Sequence, residues 1–230
     1  MIQPFISNVN FGWSIMPTLL QGTIVTLELT FFSLLLGFLI GLPLAVGQVY
    51  GQKVVTSMIS FYERVVRSVP LLVILMLVFY GLPWIGLNLP PFLAAVIGIG
   101  VRSSAYQSQI FRGAIQSIKS GQLLAARSIG LSRVQAIRYI TIPQALRRSI
   151  PPWANEFTIV LKDTPLAYAL GVVELLREGR YIIYSTFKPM VVFISAALIY
   201  FVLTRFGNSI LEYVDKKLKI PGYETGRRMR

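Results

Sequence analysis

The sequence predicts an all-α membrane protein with five transmembrane helices, and three observations carry that prediction. Hydrophobic residues fill 54% of the 230 positions and charged residues only 13%, against about 25% charged in a soluble domain. Long stretches are almost free of charge: Glu28 is the one charged residue in 18–48, and 68–101 has none. The 22 Lys and Arg, against 9 Asp and Glu, gather between the apolar runs, as they do in cytoplasmic loops.

Composition also excludes functions. A net charge of +13 would suggest nucleic acid in a soluble chain. Here no Gly-rich basic motif or aromatic-interleaved patch accompanies it, so no nucleic acid partner is expected. The chain has no Cys and no His, which removes disulfides, thiolate catalysis, thiol-ligated zinc and imidazole acid–base chemistry, and no metal site is expected. There is no GxxxxGK[ST] run to cradle a nucleotide phosphate, so ATP could act only through a partner. No basic segment precedes the first apolar run, and a cleaved secretory signal is not expected.

The elements follow in order. Residues 1–17 carry no charge but include Phe5, Phe11 and Trp13, which suits an extracytoplasmic, interfacial segment. Residues 18–48 exceed the roughly 20 residues a spanning helix needs. Gly37, Gly41 and Gly47 offer close helix packing there, and Gly37 and Gly41 form a GxxxG, a weak sign of a dimer face. After Lys53, Glu63, Arg64 and Arg67, the 34 uncharged positions 68–101 are too many for one helix. The run GLPWIGLNLPP (81–91) divides them into spans near 56–80 and 91–113, with Trp84 at the interface. A fourth apolar segment, 149–173, holds Glu156, Lys162 and Asp163; a polar connector of mixed charge leads to a fifth span, 189–213, and the tail 216–230 is basic. With the N-terminus outside and the C-terminus cytoplasmic, every strongly basic segment falls on the cytoplasmic face.

Between the third and fourth spans lies a loop, 113–148, on which the rest is organised. From Arg112 to Arg148 there are seven basic residues and no acid. Gln122 to Ile129 predict a short helix, and Gly130 suits its C-terminal cap, where a left-handed residue is needed. Ser132 can cap a second helix, and Pro143 breaks or restarts the chain. Two short helices with a glycine elbow and a basic surface give another protein something to grip.

The residues here match a known pattern. Ala125, Ala126, Gly130, Ile140 and Pro143 fall at the spacings of the E-A-A, three residues, G, nine residues, I, one residue, L-P signature, with Ile142 in the Leu place. AYQSQIFRGAIQSIKSGQ (105–122), NEFTIVLKDTPLA (155–167) and RSVPLLV (67–73) are similar to flanking motifs of the same family. The chain resembles the permease subunit of type I ATP-binding-cassette importers, polar amino acid branch, over nearly all of 18–215. The resemblance implies a dimer, of this chain or with a related permease, an ATPase subunit that binds ATP and Mg, and an extracytoplasmic amino-acid-binding protein. It implies a multi-pass place in a prokaryotic inner membrane, in contact with lipid, and a chain that is not itself an enzyme and carries no cofactor. It also implies that Leu124, Ala125, Ala126, Arg127 and Gly130 form the coupling helix that docks on the ATPase. Two residues depart from the pattern: Leu124 replaces the acid that opens the signature, and Gln109 replaces a Glu.

Carboxylates in a membrane span usually face a cavity or a partner. Glu156 and Asp163 lie two helical turns apart, on one face, while Lys162 is rotated about 100° from Asp163. They are candidates, with Asn155 and the apolar wall Leu71 beyond Pro70, for a site favouring basic amino acids. The competing reading pairs one carboxylate with Arg102. Glu28 and Arg102 are otherwise read as paired packing residues. The rival functions are a stand-alone channel, an ion-coupled carrier and a membrane-anchored assembly factor. The hydropathy shows no internal repeat to support the carrier.

Overall fold

In the computed structural model, residues 2–218 are described, with side chains from Asn10 onward. The basic tail beyond Leu218, most of 216–230, lies outside the described residues. Those residues are helical almost throughout. In order they form α1 (Ile2–Tyr50), α2 (Lys53–Ser68), α3 (Leu71–Met76), α4 (Pro91–Gln116), α5 (Ser120–Ser128), α6 (Arg133–Ala136), α7 (Ile142–Asp163), α8 (Leu175–Thr186) and α9 (Pro189–Leu218).

α1 runs 49 residues without a break, so the helix continues through 2–17 into the first span. Pro17 and Pro43 sit inside it. α1 and α9 are each long and apolar enough to cross a membrane. The second predicted span, 56–80, is not one straight helix. α2 and the segment Leu71–Ile85 meet at 103°, because Pro70 cannot donate the helical hydrogen bond and Val69 before it is extended. If that bent pair is one span, the described residues hold three candidate spans where five were expected. α4 and α7 are long enough but less apolar: α4 carries Arg102, Arg112 and a run of Ser and Gln, and α7 carries Arg147, Arg148, Glu156, Lys162 and Asp163.

α1 packs most closely on α4. A Cβ on Gly37 would lie 2.5 Å from Gln107 Nε2, and one on Gly41 would lie 2.9 Å from the Ser104 carbonyl oxygen. The GxxxG stripe is thus buried within the chain and does not serve as a dimer face. Leu29, Leu34, Leu71, Leu75, Ala94, Ala95, Ile99 and Val160 fill the core alongside. A second cluster joins Ile15 and Leu19 of α1 to Leu175 of α8 and Val192 of α9. Here too the approach is close, since a Cβ on Gly22 would meet Leu175 Cα at 2.8 Å.

Gly41→Ala is expected to destabilise the protein by about 1–3 kcal/mol through overpacking. Gly113, in the same helix pairing but with open space around it, is expected to gain about 0.5–1 kcal/mol as Ala. Thermal melting of the solubilised complex reads both, and equal shifts would refute the packing account.

Candidate functional site

The central loop is built as its residues dictate. α5 ends at Gly130, whose φ is +93°. The Gly130 amide donates to the Arg127 carbonyl at 3.1 Å and the Leu131 amide to the Ala126 carbonyl at 3.2 Å, the two bonds of a Schellman cap. Nothing lies within 4 Å of a Cβ at Gly130, so backbone conformation alone demands the glycine. Ser132 Oγ accepts from the Gln135 amide, and Gln135 Oε1 accepts from the Ser132 amide at 2.8 Å. That reciprocal box starts α6 where the sequence predicts. A π-helical turn, Ile137–Thr141, then leads into α7, with Pro143 in its first turn.

The loop is braced against the spans. Arg148 donates to the Ser117 carbonyl at 2.6 Å and Gln144 to Gln122 Oε1 at 2.8 Å. Arg133 lies over the Tyr50 ring at the end of α1. Of the five coupling candidates, Leu124, Ala125, Arg127 and Gly130 are exposed. Ala126 is buried, 4% exposed, on the inner side of α5, so its small side chain serves the loop's own packing. Ile129 and Val134 add apolar surface, 80% and 72% exposed, that the sequence reading did not single out.

Within the spans, the candidate substrate residues separate. Arg102 and Asp163 form an ion pair at 2.6 Å, with about a fifth of each side chain exposed (20% and 22%). Arg102 therefore pairs with Asp163 and not with Glu28, which is exposed on α1. Glu156 is buried and accepts from Ser103 Oγ at 2.7 Å. Ser103 accepts from Gln107, which also donates to the Leu34 carbonyl and accepts from Trp153 Nε1. Leu71 sits in the core cluster and Asn155 is exposed on α7. Two residues missed in the sequence join this group. Tyr106 lies between two guanidiniums, Arg67 at 5.0 Å and Arg102 at 4.9 Å from its ring centre. Arg67 stands three residues before the Pro70 bend, so its motif was visible and its direction was not.

A second buried carboxylate sits towards the loop. Glu63, 3% exposed, accepts from Ser108 Oγ at 2.6 Å, from Gln48 Nε2 at 2.9 Å, and from Gln109. Gln109 takes the place of the family acid, and beside Glu63 a second carboxylate would meet like charge. The departure at 109 thus has a physical partner at 63.

Residues 33–220 match the family described as the binding-protein-dependent transport system inner membrane component. The chain belongs to this family. It is 35% identical over 210 residues to the glutamine transport system permease protein GlnP of Escherichia coli K12, covering 90% of this chain and 96% of that one. It is 36% identical over 198 residues to the nopaline transport system permease protein NocM of Agrobacterium fabrum, covering 82% of each. Among solved structures it is similar to an amino acid ABC transporter crystallised with histidines, with a TM-score of 0.80 and 36% identity, covering 93% of this chain and 98% of that one. The protein is therefore a membrane-spanning permease subunit of an amino acid ABC transporter, with the type I importer fold. The ATPase of such a transporter is a separate subunit.

Gln109→Glu is expected to cost about 3 kcal/mol, the penalty of an uncompensated buried charge. The double variant Glu63→Gln/Gln109→Glu should recover most of that loss. Failure of the double variant to recover in a thermal melt would show that the two residues do not compensate.

Proposed function

We propose that this permease carries a polar amino acid, preferentially a basic one, into the cell. A separate ATPase supplies the energy and grips the 121–143 loop. A binding protein delivers the substrate on the other side, and the chain works as a dimer with itself or with a related permease. Five spans, the N-terminus outside and the C-terminus cytoplasmic, fit the distribution of basic residues. ATP and Mg bind to the partner.

The observation that carries the coupling role is the rigid, exposed turn from Leu124 to Val134. It is capped at both sides of Gly130 and tied to the end of α1 through Arg133, while Gln122 at the start of α5 is held by Gln144 of α7. Such a turn can transmit a push from the ATPase into the spans without absorbing it. Leu124 stands where the family has an acid, and being 63% exposed it would dock by apolar contact, with Ile129 and Val134 extending the patch.

The substrate preference rests on the carboxylates. Asp163 is neutralised by Arg102, which leaves Glu156, bonded to the neutral Ser103, as the group that would favour a cationic side chain. Arg67, exposed and stacked on Tyr106, offers a donor to the α-carboxylate. The Arg102–Asp163 pair also favours a second reading, a neutral polar substrate such as glutamine, in which Glu156 is architectural.

Uptake of labelled arginine, lysine, histidine, glutamine and glutamate into proteoliposomes holding the complex separates these readings. Glu156→Gln is expected to abolish arginine and lysine uptake while the complex still assembles. Unchanged cation uptake removes Glu156 from the substrate site, and uptake without ATP would favour a carrier. Gly130→Pro should leave the ATPase bound but reduce transport per ATP hydrolysed by about tenfold or more, the equivalent of about 1.4 kcal/mol of lost coupling; transport that keeps pace with hydrolysis would refute the coupling role.

A further inference from the structure

The connector after α7 reads in the sequence as mixed charge, three basic residues against two acidic over 174–188. The fold changes that balance. Glu174 is fully buried and turned into the protein, where it caps α8 through the Leu176 and Arg177 amides, both at 2.8 Å, and accepts from Tyr200. Glu178 packs against α1, its Cγ 2.9 Å from where a Cβ on Gly22 would stand. The outward face of α8 is left with Arg177 and Arg180, and Lys188 follows, over the Phe11 ring at 4.5 Å.

Neither arginine has a carboxylate within salt-bridge distance among the described residues. Tyrosines hold both. Arg177 Nε donates to the Tyr181 hydroxyl at 2.8 Å and its Nη1 to the Tyr168 carbonyl at 3.2 Å. Arg180 lies 4.9 Å over the Tyr168 ring and donates to the Tyr184 hydroxyl. The guanidiniums are thus fixed in place without losing their charge. Fixed, planar forks of this kind meet carboxylates at little entropic cost. Tyr and Arg together are also the residue types that dominate protein interfaces.

Position supports the same conclusion. α8 packs at Gly22 of α1 and the loop arginine Arg133 at Tyr50, about 40 Å apart along a helix rising 1.5 Å per residue. Gly171, before α8, lies beside Pro91, which starts α4. The α8 face and the uncharged Trp84 turn therefore share the end of the molecule opposite the coupling loop. Cations without a salt-bridge partner at that end run against the positive-inside bias, so topology does not account for them.

We propose that the exposed face of α8, with Arg177 and Arg180 set among Tyr168, Tyr181 and Tyr184, receives an acidic patch on the binding protein. This rests on the reading above in which a binding protein delivers the substrate. The complex with its ATPase, in nanodiscs of zwitterionic lipid and separately with added anionic lipid, tests it through ATPase activity titrated with binding protein.

Arg177→Glu and Arg180→Glu are each expected to raise the half-saturating concentration of binding protein about tenfold. The plateau and the basal rate should stay unchanged, and the salt dependence should flatten. Acid-to-Lys changes on the binding protein should restore part of the loss. Should Arg177→Glu not assemble, Arg180→Glu decides, since its hydrogen bond and ring contact are with side chains only. An unchanged half-saturation overturns the proposal, as does a shift confined to anionic nanodiscs, which would assign the face to lipid. A wild-type complex that no binding protein stimulates overturns the delivery reading itself, and this one with it.

Discussion

Backbone-close contact between α1 and α4 is the constraint from which the rest of this permease follows. Glycines at 37 and 41 bring the two helices near enough for Gln107 to reach the Leu34 carbonyl and for Ser33 to face the Val96 carbonyl. Without hydrophobic drive between helices in lipid, such approach is what dispersion and hydrogen bonds need. Once α4 is held there, its polar side face, Ser103, Ser104, Gln107 and Ser108, has to be satisfied by α2 and α7. Glu156, Trp153, Tyr62 and Glu63 do so. Among the described residues one buried side-chain polar atom, Thr204 Oγ1, lacks a hydrogen-bond partner, as expected where an unpaired polar group is costly.

The polar interior divides along its length. Towards the α8 end, the Arg102–Asp163 pair and the Arg67–Tyr106–Arg102 stack stand partly exposed beside the Pro70 bend. Towards the loop, Glu63 locks α1, α2 and α4 together near the point where α4 leads into the 113–148 loop. The first is partly open, with about a fifth of the Arg102 and Asp163 side chains exposed, and the second is closed around a buried Glu63. A buried carboxylate held by amides and a hydroxyl, with no salt bridge among the described residues, keeps its place only while all three helices keep theirs. It is therefore sensitive to their relative position.

The two ends meet the outside differently. The Leu124–Val134 turn presents apolar surface among scattered arginines and owes its rigidity to caps. The α8 face presents charge and owes its rigidity to tyrosine stacking. If an ATPase and a binding protein grip these two ends as proposed, both ends must be stiff, since slack at either would dissipate the work.

Much was legible in the sequence because its causes are local. Spans follow from charge-free runs, the turn at 129–132 from Gly130 and Ser132, and the bend from Pro70, whose ring acts on its own neighbours. The spaced motifs around 105–167 identified the family for the same reason. Side-chain partners were not legible, because they depend on which helix faces which. Whether Arg102 meets Glu28 or Asp163, whether the 37–41 stripe faces inward, and whether Glu174 points in or out are decided by rotation about helix axes. Segment 189–213 announces a span by hydropathy, yet nothing in it tells that Tyr200 will reach Glu174. The sequence by itself determined the class, the family, the Gly130–Ser132 turn and the bend. Only the tertiary structure decided how the buried charges pair, because that pairing is set by contacts between helices far apart in the chain.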